Sequence, residues 1–167
     1  YGIVQPGDDV RNGLPIVRPV DLGGSVVNLE GLKRIDPDRA SSYARTQLDG
    51  TDLLLCVRGT TGTISLSSED LAGANVTRGI VPIRFNERMM RLFGYYQFQS
   101  GFLQKQIAEK TYGAALMQIN IGDVKKLRLK CPPQNEQAVA VRRMEGIAGA
   151  HGEPDLFKNW RRRFAFF

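Results

Sequence analysis

The sequence predicts an α+β fold: a small mixed sheet with flanking helices, followed by the start of a long C-terminal helix. Leu53 to Val57 is an apolar run that stops at Arg58-Gly59-Thr60-Thr61-Gly62, and Thr63 to Ser67 then alternates polar and apolar. Those three pieces read as a strand, a glycine-rich hairpin turn and a half-buried strand. From Glu87 the spacing turns helical, with Met89, Leu92, Phe93 and Tyr96 at i, i+3, i+4 and i+7. Finally, Pro132-Pro133 opens a stretch in which Val141, Met144 and Ala148 recur at three and four residues, the pattern of a helix with one weakly apolar face.

Taken in order, Tyr1 to Val10 is turn-rich around Pro6-Gly7-Asp8-Asp9 and leads into a strand over Leu14 to Val20. Its prolines, Pro15 and Pro19, favour an edge or a strand end. Asp36-Pro37-Asp38-Arg39 resembles a helix start and predicts a surface helix through Ala40 to Gln47. After the hairpin, Asn75-Val76-Thr77-Arg78-Gly79 leads to another strand with Val81, Ile83 and Phe85 on one face. Gly101 divides the helical region, and Leu103 and Ile107 mark a second helix over Phe102 to Glu109. Gly113 marks a turn, Asn120 is placed to cap a short helix over Ile121 to Lys126, and Leu127-Arg128-Leu129 alternates as a last strand. The expected organisation is a compact domain over 1–133, the start of a helix over 134–150 and an unassigned tail over 151–167.

A chain of 167 residues with 42% hydrophobic content builds one domain with a real core. Its formal charge of +6 and sequence pI of about 9.6 suit a polyanionic partner. Cys56 lies inside an apolar strand and Cys131 precedes the double proline, which suggests neither a disulfide framework nor a zinc set and points to the cytoplasm. No apolar run approaches the roughly 20 residues that cross a bilayer, so no membrane partner is expected. The first residue is Tyr, not Met, which suggests a fragment or a processed chain.

Catalytic chemistry finds little to work with. The one histidine, His151, lies in the irregular tail, so no base is available to a nucleophile in the compact region. Asp8-Asp9 and Glu69-Asp70 sit in turn contexts rather than as an acid/base pair, and no metal-ligand spacing occurs. Gly59 to Gly62 lacks the Gly-Lys-Ser/Thr ending of a phosphate loop, and a strand follows it instead of a helix. A nucleic-acid reading fits the loops better: Arg and Lys pair with phosphates, Arg forks onto guanine, and Asn or Gln suit adenine, a role open to Gln118, Asn12 and Asn75.

Several segments together resemble one family. They are Gly50 to Leu55 with Arg58 to Gly62, then Gly73-Ala74-Asn75-Val76-Thr77-Arg78-Gly79-Ile80, then Gly113 to Asn120, and the junction Cys131-Pro132-Pro133-Gln134-Asn135-Glu136-Gln137. In this order, over Tyr1 to Ala148, they resemble the target recognition domain of the DNA-specificity subunit of Type I restriction-modification systems. The resemblance implies a non-catalytic reader of one half of a bipartite double-stranded DNA target, presenting loops to the grooves. The resemblance does not locate the base-reading residues; the residues themselves point to Arg58, Thr60, Thr61 and Arg78 as loop contacts, Lys33, Arg34, Lys110 and Tyr112 as supporting phosphate contacts, and Gln118 at a base. It implies that the helix carrying Gln137, Val141, Met144 and Ala148 spaces two recognition domains and docks methyltransferase subunits. The chain then needs no cofactor of its own: S-adenosylmethionine and ATP belong to the modification and restriction subunits, and a second specificity half-subunit is a further partner. The tail departs from the family pattern, in which the helix continues. Two other readings stay open, the DNA-reading part of a single-chain methyltransferase-nuclease and a protein-interaction module with no DNA role.

Overall fold

The computed structural model describes residues 2–150, with side chains to residue 147, so the 151–167 tail and His151 lie outside the described residues. Seven strands come first: β1 (Leu14–Val17), β2 (Val26–Val27), β3 (Arg34–Ile35), β4 (Leu53–Cys56), β5 (Ile64–Ser67), β6 (Asn75–Val76) and β7 (Ile80–Ile83). Four helices follow: α1 (Arg91–Gln99), α2 (Gly101–Lys110), α3 (Ile121–Val124) and α4 (Gln134–Ala150). The fold is α+β, with the expected sheet divided in two, β3-β1-β6 and β2-β5-β4-β7. Each sheet is mixed, because β1–β6 and β2–β5 are parallel pairs among antiparallel ones.

β4 is shared by both cores. Side chains alternate along a strand, so Leu53 and Leu55 pack with Tyr95, Phe98, Leu103 and Ile107 on the helical side. Leu54 and Cys56 pack with Val17, Leu71, Val76 and Ile80 on the other. Double-sided burial explains why β4 is an unbroken apolar run, and each leucine withdrawn from water contributes about 1.5–3 kcal/mol. β5 departs from the half-buried expectation, since all four of its residues are buried. Its serines are covered because they have partners: Ser65 Oγ donates to Gly24 O (2.7 Å) and Ser67 Oγ to Asp52 O (3.1 Å).

Four further expectations are corrected. β1 is a central strand, so of the expected edge or strand end only the second holds: Pro15 is its second residue and Pro19 lies past Val17. Leu14 and Pro15 pair with β3 while Ile16 and Val17 pair with β6, so Pro15 sits where its missing N–H is not required by the second neighbour. The surface helix over 40–47 is instead two short 3₁₀ turns, Pro37–Ala40 and Ala44–Thr46. Asp36 accepts from the Asp38 amide and Ser41 Oγ donates to Asp38 O, local bonds that compete with helix continuation. α1 starts at Arg91 rather than Glu87, because amide side chains of α4 take up the preceding backbone groups. Its deepest residues are Leu92, Tyr95 and Phe98, with Phe93 and Tyr96 at the flanks, since the helix packs against β5, α2 and α4 together. Residues 127–129 form no strand. Two glutamine side chains play the neighbouring strand's part: Gln106 Oε1 accepts from Arg128 N (2.9 Å) and its Nε2 donates to Arg128 O (3.1 Å). Gln97 makes the same pair of bonds with Lys130 (2.7 and 2.8 Å).

α4 joins the domain through the residues expected to meet a partner. Gln137 and Val141 are both fully buried. Gln137 Oε1 accepts from Met90 N (2.8 Å), and its Nε2 donates to Arg88 O (2.8 Å) and Pro132 O (2.7 Å). Val141 belongs to the core with Leu53 and Phe98. Both are occupied inside the chain and are unavailable to a second molecule. Met144 is exposed, along with Val139 and Ile147, and the Ala148 side chain lies outside the described residues.

At the far end of β4, buried Asp52 accepts from Asp49 N (2.9 Å) and from Arg84 Nε (2.6 Å). Arg91 donates to the carbonyls of Asp52 and Ser67, tying α1 to the hairpin's open end. Burial pushes the Asp52 carboxyl above its ordinary value, although the Asp49 amide and Arg84 pull it down, and burial also lowers Arg91.

Gln137→Leu keeps the volume but strands one amide and two carbonyls, and should lower unfolding free energy by about 2–3 kcal/mol in urea titrations. A loss below half a unit of that scale would show that solvent reaches the junction. For Asp52, the folded chain holds a proton that the unfolded chain has released in the window between 3.8 and the raised folded value. Its contribution to stability therefore falls as pH rises through that window. Carboxyl-detected NMR should put the Asp52 midpoint above 3.8, and a midpoint at or below it would contradict the burial argument.

Candidate nucleic-acid interface

The β4–β5 hairpin turns on two glycines in the left-handed region, Gly59 (φ 88°) and Gly62 (φ 92°). Gly62 N donates to Cys56 O (2.9 Å) and Thr63 N to Thr60 O (3.2 Å), which closes the tip. Just before it, Val57 is bonded on both sides: its amide donates to Gly79 O (2.8 Å) and its carbonyl accepts from Ile119 N (3.0 Å). Three segments far apart in sequence therefore meet at one residue. Arg58, Arg78 and Gln118 each stand one position away from a bonded residue of that junction.

Around it lies a recess of about 140 Å³, with Val57 and Ile119 as its apolar floor and Arg58, Arg78, Tyr112, Gln118 and Asn120 as its polar walls. Among the described residues no carboxylate lines it. Its outer wall is a tight loop. Tyr112 N donates to Gln118 O (2.9 Å) and Gln118 N to Tyr112 O (2.8 Å), closing residues 113–117, and Met117 O accepts from Gly59 N (2.8 Å). Tyr112 Oη donates to Asn120 Oδ1 (2.6 Å). Gly113 is needed here: its φ is 116°, and a Cβ would stand 2.3 Å from Leu116 O.

Of the residues expected at the interface, Arg58, Arg78, Tyr112 and Gln118 come together at this recess. Thr60 is exposed at the hairpin tip. Thr61 stands at the C-terminal end of α2, where Lys110 ends the helix and the hydroxyl of the next residue, Thr111, lies 3.4 Å from its own. Lys33 and Arg34 do not join the recess. Lys33 Nζ donates to Gly7 O and Arg34 to Gly13 O (3.1 Å), so both brace the N-terminal loop. Asn75 is ruled out as a base reader, because it is buried with Thr46 Oγ1 (2.7 Å), Val76 N (2.8 Å) and Tyr43 O (3.0 Å) as partners. Asn120 is an addition. Its side chain makes no cap bond to α3 but orients the Tyr112 phenol. A sequence reading assigns a lone Asn before a short helix to the cap, and only its spacing from Tyr112 could have suggested otherwise.

Two arginines, three amide or phenol groups and no carboxylate form a surface for phosphates and base edges. Among the described residues no cluster could hold a metal ion, and no helix is long and apolar enough to cross a membrane. These are the features of a small α+β domain that gathers cationic and amide groups on its loops. Residues 12–148 match the family described as the Type I restriction modification DNA specificity domain, and the chain belongs to that family. It is 28% identical over 148 residues to the Type I restriction enzyme EcoBI specificity subunit of Escherichia coli, covering 88% of this chain and 31% of that one. Its fold is similar to the crystal structure of the HsdS subunit from Thermoanaerobacter tengcongensis, with a TM-score of 0.65 at 20% identity over 82% of this chain and 36% of that one. A second solved structure, described as concerning complex assembly and conformational transition of the type I R-M system, gives a TM-score of 0.60 at 19% identity over 87% of this chain and 35% of that one. The chain thus spans about a third of the length of these relatives.

Gly113→Ala should cost about 1–3 kcal/mol in urea unfolding, the usual penalty for a strained backbone position. The largest amide NMR shifts should fall at Gly59, Tyr112 and Gln118. A neutral substitution with unmoved shifts would contradict the loop geometry.

Proposed function

We propose that this chain is the target recognition domain of a Type I specificity subunit: it binds one half of a bipartite double-stranded DNA sequence and performs no chemistry itself. The observation that carries this reading is the convergence of Arg58, Arg78 and Gln118 on one carboxylate-free recess, in a chain of the DNA specificity family. The arginines supply charge to phosphate oxygens or forked bonds to guanine, and Gln118 and Asn120 supply the paired donor and acceptor that an adenine edge requires. Thr60 at the tip and Lys110 beside the loop extend the same contact to neighbouring phosphates.

In this reading S-adenosylmethionine and ATP stay on the methyltransferase and restriction subunits, which receive the bound DNA, and the assembly works in the cytoplasm. α4 leads away from the domain as a spacer. Its docking face towards those subunits, or towards a second specificity half-subunit, is the exposed side carrying Val139, Met144 and Ile147. Gln137 and Val141 hold its root.

Arg58→Ala should weaken duplex binding several-fold and reduce the slope of log K against log salt by about 1 if it neutralises a phosphate. Fluorescence anisotropy across a salt series measures both quantities. Affinity unchanged at every salt concentration would remove Arg58 from the interface.

A further inference from the structure

The loop closed by Tyr112 and Gln118 carries two large apolar side chains that the recess does not use. Leu116 is 45% exposed and Met117 42%. Exposed apolar residues are common singly, but these two stand on a loop tip held by three backbone bonds, the Tyr112–Gln118 pair and Gly59 N to Met117 O. Leu116 Cδ1 lies 4.0 Å from the position of a Cβ on Gly59, so it sits over the hairpin tip beside Arg58.

We propose that Leu116 and Met117 form an apolar probe that touches the bases of duplex DNA and contributes to sequence choice; this rests on the DNA-reading function above. Duplex DNA is the occupant because the surroundings are complementary to it. The probe stands beside Arg58 and next to a recess that Arg58 and Arg78 line and that no described carboxylate lines, so the local positive charge draws a polyanion towards it. An apolar side chain brought to a groove in this way meets the parts of a base that hydrogen bonds do not read, a thymine methyl or an exposed base face. The pinned loop loses little freedom on binding, so the contact is not consumed by ordering cost. Phosphate contacts are indifferent to sequence, whereas this contact is not, and the two contributions separate experimentally.

The test presents the chain and its Leu116→Ala/Met117→Ala variant with duplexes carrying a randomised central segment, and sequences those retained at low and moderate salt. The wild type should enrich a motif. The variant should bind the unselected pool with unchanged salt slope but lose enrichment roughly tenfold or more at one or more positions, the scale of one base pair's discrimination. The exchanged pair Leu116→Met/Met117→Leu should retain most of it. Equal thermal midpoints for all three would exclude unfolding as the cause. A variant that keeps the motif, or that loses pool and motif binding alike, overturns the probe and leaves DNA reading intact. A wild type that binds the pool without enrichment reads no sequence, and overturns the target-recognition function together with the probe. No duplex binding by the wild type would remove the function itself.

Discussion

Val57 has both backbone groups bonded to segments from elsewhere in the chain, Gly79 on one side and Ile119 on the other. Each of those bonds contributes only about 1 kcal/mol net, yet together they bring Arg58, Arg78 and Gln118, from three segments of the chain, to one junction. The bonds are short and buried because Val57 is itself part of the helical-side core. The residue that fixes the recess is thus an apolar one, and the polar groups take their positions from it.

The hairpin can carry such a junction because β4 is covered on both faces. Leu53 and Leu55 on one side and Leu54 and Cys56 on the other leave the strand no freedom to shift by one residue, since a slip would exchange the two cores. Polar groups are therefore confined to its ends. At one end Asp52, Arg84 and Arg91 are consumed in holding the strands to α1. At the other end the chain leaves the core as Arg58, which lines the recess, and turns on two positive-φ glycines. The same sequence feature, a charged residue where an apolar strand stops, serves cohesion in one place and lines the recess in the other.

Local pattern made much of this legible. The apolar run followed by Gly-Thr-Thr-Gly identifies the hairpin, and the helical spacing finds α1 and α2, because both signals lie within one element. Partner-dependent features escaped. The 127–129 segment alternates like a strand, but its backbone is satisfied by Gln97 and Gln106 side chains, and no periodicity announces an amide acting as a neighbouring strand. The residues 36–47 contain helix signals that serine and aspartate side chains divert into two turns. At the recess, Arg58 and Arg78 were visible as charges beside glycines. The exclusion of Lys33, Arg34 and Asn75 depends on acceptors 20 or more residues away, a relation that spacing cannot express.

The hairpin and α4 meet through α1. It packs against β5, the strand that leaves the hairpin tip, and also against α4. Gln137 ties α4 to the residues just before α1, Val141 enters the shared core, and Tyr96 on α1 donates to Glu145 one turn further along α4. A helix held at three successive points keeps one direction against the domain, because swinging it would expose Val141 and break the Gln137 bonds together. The direction of α4 is consequently set by the same core that sets the position of Val57. A spacer that held two reading surfaces at a defined separation would require that rigidity at its root. The burial of Gln137 and Val141 inside the chain, where a partner contact was expected, is what provides it.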